Sequence, residues 1–380
     1  MLYREIGRTG KRASVVGLGC EHLDGKPYAQ VQETVDAALA GGINILDVFM
    51  PGQPVREHIA KALGGRRSQV MIQGHIGSTD LNQQYDISRD MPVVRRYFDD
   101  LLRCFDGYID FGMLFFMDSE ADFQGVFETP FADYVQTLKA QGKLGHIGFS
   151  SHNPAIATRV IETGLPEMMM FSINLAFDLC PPDVNVLDTL KEPADAARFR
   201  GLDPVRAALY ALCAQRGVGI TVMKTLGAGI LLSAEHSPFA APMTVAQCIH
   251  YVLTRPAVAS ALVGCKTAEE VEGVLRYVTA EDAERDYAPL LGAMRDDFHG
   301  RCVYCSHCQP CPAGIDIAAV NKYLDIARLD AAQVPPTLRA HYAALPQGGD
   351  ACIACGSCQA RCPFGVPIID RMAEAARVLG

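Results

Sequence analysis

No stretch of this 380-residue chain is apolar for long enough to cross a bilayer. The longest candidate, MMMFSINLAF, is interrupted by Ser172 and Asn174. The N-terminus, MLYREIGRTGKRAS, lacks the apolar centre of a signal peptide. Basic charge is short as well: 34 Lys and Arg stand against 43 Asp and Glu, a net charge of −9. A nucleic-acid groove needs a basic patch, and none is visible. These absences exclude membrane and nucleic-acid partners. They leave a soluble cytoplasmic protein that acts on a small molecule as the expectation. Hydrophobic residues make up 49 %, enough for one large core and a small second domain.

Short apolar runs alternate with helix-length amphipathic stretches. SVVGLGC, INILD, QVMIQGHIG, YIDFGMLFF, LGHIGFSS, MMMFSIN, VGITVMK and VASALVG read as strands. A helical pattern follows each, capped by Asn153 and Asp203 before proline and stopped by Gly41-Gly42 and Gly142. Eight strand–helix units predict a (β/α)8 TIM barrel over residues 1–277, with its active site where the strands end. A doubly wound sheet would show a GxGxxG turn after the first strand, and GLGCEHL is not one. Residues 278–300 read as a connecting helix, and residues 301–380 as a small α-helical module.

Cysteine is unevenly spread. Of 14, six are scattered (Cys20, Cys104, Cys180, Cys213, Cys248, Cys265) and read as buried apolar residues. The other eight form two runs. CIACGSCQARCP, with Cys352, Cys355, Cys358 and Cys362, has the C-x2-C-x2-C-x3-C-P spacing of bacterial ferredoxins. CVYCSHCQPCP, with Cys302, Cys305, Cys308 and Cys311, is one residue tighter at its end. Three closely spaced thiolates reach three irons of a cubane, and the fourth ligand comes from the other run. The expectation is two 4Fe–4S clusters, one on Cys302, Cys305, Cys308 and Cys362, the other on Cys352, Cys355, Cys358 and Cys311. Which run supplies each fourth ligand stays open. Structural zinc is the rival, but it gains nothing from the third cysteine or the trailing prolines.

YREIGRTGKRASVVGLGC, GINILD, LKAQGKLGHIGFSSHNP, GVGITVMKTLGAGIL and SALVGCKTAEEVEGVL, in that order, resemble the aldo/keto reductase family. The resemblance is to its branch with a C-terminal ferredoxin-like module. It implies a (β/α)8 barrel, nicotinamide-dependent carbonyl reduction, and an Asp, Tyr, Lys and His set at the strand ends. Asp47 matches the Asp. No Tyr follows it in DVFMPGQPV, His75 stands at the Lys position and Phe115 at the His position. The resemblance implies cofactor contacts at Ser150, Ser151, Asn174, Lys224, Gly264, Lys266 and Thr267. Met170 replaces an amide of the nicotinamide pocket, and Glu270 replaces the arginine that meets a 2′-phosphate. NAD(P) binding therefore stays open.

The candidate catalytic groups are Asp47, His75, His22, His152 and Lys224, all at strand ends. Asp47 would orient the His75 imidazole and make it a donor near neutral pH. Arg56 and Glu57 read as solvated helix charges. Three functions fit: an iron–sulfur oxidoreductase fed by a ferredoxin or flavodoxin-type carrier, a nicotinamide-dependent carbonyl reductase with structural clusters, or a non-catalytic electron-transfer subunit.

Overall fold

The structure is a computed structural model. It describes residues 1–81, 84–181, 184–190, 199, 201–294 and 296–380. Eight parallel strands close into a barrel in chain order. They are β1 (Val16–Gly19), β2 (Ile45–Val48), β3 (Met71–Ile76), β4 (Ile109–Leu114), β5 (Leu144–Ser151), β6 (Met168–Ser172), β7 (Gly219–Met223) and β8 (Val258–Gly264). β8 pairs back onto β1. Each matches its predicted run, β2 extending one residue past it to Val48, because a strand buried on both faces is written as continuous apolar sequence.

The interior is filled by Ile45, Met71, Phe111, Met113, Met168, Met170, Ala259 and Leu262. Ile6 and Ala13 join them from an N-terminal hairpin, Tyr3–Glu5 with Arg12–Ser14. That hairpin lies against the starts of the strands. A Cβ on Gly219, which opens β7, would come 2.6 Å from the Gly7 nitrogen, so the close approach needs glycine there. The strand ends are thus the face left for chemistry.

The helix boundaries follow local capping. The Asn153 side chain accepts from the Ala155 and Ile156 amides and starts Pro154–Glu162. Asp203 starts Pro204–Arg216, which Gly217 ends at φ 66°. Thr244 and Gln247 form a capping box for Val245–Thr254.

Two expectations need correction, and one element was not foreseen. Residues 278–300 are not one helix: Asp282–Arg285 is a single turn, followed by a 3-10 stretch, Ala288–Met294. Pro289 lacks an N–H and disfavours helical backbone at Ala288, so the helix cannot run through. Arg56 is not solvated. It is buried and donates to the carbonyls of Met50 (2.9 Å) and Tyr97 (2.8 Å), with Asp100 at 3.5 Å. Between β3 and the helix Met91–Cys104 lies an unexpected hairpin, Ser78–Leu81 with Gln84–Ile87. Of the scattered cysteines, Cys20, Cys180, Cys213, Cys248 and Cys265 are buried and Cys104 is half-buried. No helix among the described residues is long and apolar enough to cross a membrane.

The chain divides into two compact units. One comprises residues 1–173, 218–225 and 258–278 and holds every barrel strand. The other comprises 174–217, 226–257 and 279–380. In it the helix Ile317–Leu329 packs on Pro204–Arg216, on Val245–Thr254 and on Ile368–Leu379.

Candidate functional site

Asp47 sits in β2 and His75 in the neighbouring β3, two residues beyond Gln73. Alternate residues of a strand share a face, so Gln73 and His75 both point inward to Asp47. His75 Nε2 lies 2.8 Å from Asp47 Oδ1. The Gln73 amide donates to the same oxygen (2.7 Å) and to Met170 Sδ (2.9 Å), and the Thr221 hydroxyl donates to Gln73 Oε1 (3.0 Å). The side chains of His75 and Asp47 are only 1 % and 2 % exposed. The other ring nitrogen, His75 Nδ1, is buried with no partner among the described residues. Phe115 and Phe49 stand edge-on to the ring at 5.3 and 6.0 Å. The pair therefore exists, and it is sealed.

A second Asp–His pair stands at the end of β5. His152 Nδ1 lies 2.8 Å from Asp118 Oδ2, and the His152 amide donates to Asp118 Oδ1 (2.6 Å). The Ser151 hydroxyl donates to the same Oδ1 (3.0 Å). The Ser150 hydroxyl accepts from the Phe116 amide (2.9 Å). Both serines of the expected cofactor pair are thus engaged with the corner that follows β4. Burial alone would raise the Asp118 pKa, but the hydrogen bonds and charge of His152 and the Ser151 hydroxyl bring it below the usual carboxylate value. A carboxyl depressed in the fold stabilises it above its unfolded pKa, about 3.9, and that contribution fades as pH falls through the lower folded value. The stability gap between wild type and Asp118→Asn is therefore expected to be full at pH 6 and to close below about pH 4. Urea midpoints across that range would check it.

The remaining candidates make local contacts. His22 lies over Gly264, where an added Cβ would come 2.6 Å from the imidazole. Thr267 caps the helix Ala268–Leu275, its hydroxyl accepting from the Glu270 amide (3.2 Å). The Lys266 amide donates to the Glu270 carboxylate at 2.6 Å. An incoming phosphate would have to displace that carboxylate from the helix start. Lys224 follows β7 in left-handed backbone, φ 61°, and is half-buried. Asn174 caps the short helix Leu175–Leu179 by accepting from the Phe177 amide (2.9 Å).

In the second unit the cysteine runs repeat one backbone design. Tyr304 and Ser306 have φ of 60° and 65°; Ala354 and Gly356, at the same places in the other run, have 54° and 77°. Three of these four are not glycine, so the left-handed turns are held against their intrinsic cost. They aim backbone N–H groups at sulfur: Tyr304 at Cys302, His307 at Cys305, Ser357 at Cys355. Such bonds favour thiolate. Cys305 and Cys308 lie within electrostatic reach of Cys302, and all three within reach of Cys362. Cys352, Cys355 and Cys358 line a cavity together with Cys311, walled by Ile315, Ile353, Ile368 and Met372. The Arg361 guanidinium ties the runs by donating to the carbonyls of Cys308 (2.6 Å) and Pro310 (2.7 Å). Among the described residues no three His, Cys, Asp or Glu converge as they would around one metal ion. Thiolates of a cubane each bind a separate iron and so stand further apart. The donor set, the inward N–H groups and the apolar wall fit that group.

Sequence reasoning placed His75 beside Asp47 and grouped the cysteines, and it did not single out Asp118, Gln73, Thr221 or Phe116. The only available signal for Asp118 was its place just beyond a strand end, in FFMDSE, where it reads as a helix-start residue.

Known proteins agree on the architecture. No curated protein is significantly similar in sequence. The holo form of aldo-keto reductase AKR11C1 from Bacillus halodurans superposes with TM-score 0.57 at 20 % identity, over 75 % of this chain and 94 % of that one. A proposed aldo-keto reductase from Pseudomonas aeruginosa superposes with TM-score 0.54 at 19 % identity, over 73 % and 96 %. At such identities the likeness is one of fold. The model of the aldo/keto reductase family matches residues 15–247, more than half of the sequence. The chain belongs to the aldo/keto reductase family, a family of oxidoreductases.

Proposed function

We propose that the chain is an iron–sulfur oxidoreductase of aldo/keto reductase type. In this reading the eight C-terminal cysteines hold two 4Fe–4S clusters, and the barrel rim works without the family's Tyr, Lys and His. The observation that carries it is the pairing of each cysteine triplet with one cysteine of the other run, inside loops of matching left-handed backbone. When bound, such clusters supply one-electron exchange with a ferredoxin or flavodoxin-type carrier. Cys355 and Ile353 are exposed, which supports a carrier meeting the second set. On the barrel, Asp47, Gln73 and Thr221 hold His75 in one orientation. The Glu270 carboxylate at the start of Ala268–Leu275 disfavours a 2′-phosphate there.

The test is anaerobic purification with iron and sulfide counts, and absorbance before and after NADPH, NADH or dithionite. About eight irons, bleached by dithionite and not by either nicotinamide, are expected. Zinc in place of iron would sink the reading. Bleaching by NADPH would restore a nicotinamide site to the barrel.

A further inference from the structure

Arg255 stands just past the helix Val245–Thr254 and is 2 % exposed. A cation so deeply buried is costly unless a negative charge answers it. Its hydrogen bonds go instead to neutral oxygens. Nη2 donates to the Val303 carbonyl (2.9 Å), the Thr254 hydroxyl (3.0 Å) and the Tyr287 hydroxyl (3.4 Å). Nε is buried with no partner among the described residues. The guanidinium lies over the rings of Tyr251 (4.4 Å) and Tyr304 (5.2 Å). Burial raises the pKa of Tyr251, Tyr287 and Tyr304, so all three phenols stay neutral.

The carboxylates of the neighbourhood are already engaged. Asp178 acts on Arg255 at longer range, but it pairs with Arg206. Asp325 faces Arg371 and Arg328, Glu374 faces Arg328, and Asp286 faces His307. Among the described residues none is left over for Arg255. Val303, whose carbonyl it holds, lies between Cys302 and Cys305. Tyr287 donates to the same carbonyl and is within electrostatic reach of both thiols. The wall of the second set's cavity, by contrast, contains no charged side chain. A cubane on four thiolates is anionic and becomes more so on reduction. It would supply the charge that the protein withholds from Arg255.

We propose that Arg255 is the buried counter-charge of the first cysteine set, Cys302, Cys305, Cys308 and Cys362, and that it makes a cluster held there easier to reduce. A guanidinium keeps its proton at any ordinary pH, so the charge is fixed. Arg255 meets the run only through the Val303 carbonyl, so it acts through its field and not as a ligand. The inference rests on the cluster reading, whose own failure would show as missing iron and not as an unshifted potential.

The test titrates the full-length protein, purified anaerobically, with dithionite in the presence of redox mediators. Electron paramagnetic resonance follows each reduced cluster. Cys355→Ala, which should keep only the first cluster, identifies its signal. In Arg255→Gln the equilibrium of that cluster should shift at least tenfold towards the oxidised form, about 59 mV for a one-electron couple. The second cluster should move by less than about threefold, since its wall holds no charge to lose. Arg255→Lys keeps the charge but not the planar fork, and should stay within about threefold of the wild type. Added salt should leave the Arg255→Gln shift in place, because buried charges are poorly screened. If Arg255→Gln fails to load the first cluster while Arg255→Lys loads it at the wild-type potential, the charge is required and the proposal stands. Equal potentials in wild type and Arg255→Gln, a shift shared by Arg255→Lys, a shift that salt erases, or loss of the first cluster from both variants would overturn it.

Discussion

Asp178→Ala is expected to destabilise the second unit by about 3–5 kcal/mol, because it strips the carboxylate from a buried cation. Asp178 accepts from Arg206 Nε (2.8 Å), from the Tyr210 hydroxyl (2.6 Å) and from the Tyr251 hydroxyl (2.8 Å). All four residues are buried. Burial pushes both phenols well above their ordinary pKa, so they remain donors at any pH the protein meets. Three donors thus converge on one carboxylate, and alanine offers none of them an acceptor. Asp178→Asn keeps one acceptor oxygen and should cost less than alanine. Asp178→Leu with Arg206→Met should recover part of the loss, since a buried ion pair replaced as a pair costs less than one broken.

The effect should reach the cysteines. Tyr251 stands edge-on to Tyr287 at 5.2 Å, and Arg255 lies 4.4 Å over the Tyr251 ring. Both Arg255 (2.9 Å) and the Tyr287 hydroxyl (2.7 Å) donate to the Val303 carbonyl, inside the first cysteine run. Thermal unfolding midpoints by circular dichroism, taken together with iron content, would check both parts. An unchanged midpoint would mean that the three donors find water instead.

The barrel was legible because each strand is an apolar run and each helix has a cap or stop that works locally. Asp47 and His75 were legible for the same reason: a strand end places them whatever surrounds the barrel. The contacts of Gln73 with Thr221 and Met170 were not. Their hydrogen bonds depend on which strands adjoin across the closed barrel, and the Thr221–Gln73 contact joins residues 148 apart in sequence. The hairpin carrying Tyr85 was hidden by its composition, since STDLNQQYDI is too polar to show strand alternation. Phe116 read as the last residue of an apolar strand. Its left-handed turn comes from Ser150 and Arg89, which no local pattern announces. The span 278–300 erred the other way: helical composition outweighed one proline that the chain obeys.

Cys362→Ala should remove the cluster of the first cysteine run, although Cys362 belongs to the second. The thiols of Cys302, Cys305 and Cys308 all feel Cys362, while Cys352, Cys355 and Cys358 share their cavity with Cys311. Arg361, next to Cys362, donates to the Cys308 carbonyl and so brings that end of the second run to the first. Iron should fall by about half in each single variant, from about eight to about four. The identity of the surviving cluster carries the information. Electron paramagnetic resonance of the reduced Cys362→Ala protein should match that of Cys305→Ala. Cys311→Ala should match Cys355→Ala, and the two pairs should differ from each other. If Cys362→Ala instead matched Cys355→Ala, each run would close its own cluster. A cross-ligated pair has a further consequence that an unswapped one lacks. Each cluster would fasten the chain near residue 305 to the chain near residue 358, so losing either should loosen both loops. Proteolysis within Cys302–Cys311 should then accelerate in Cys355→Ala as well as in Cys305→Ala, whereas self-contained runs would confine the damage to the variant's own loop.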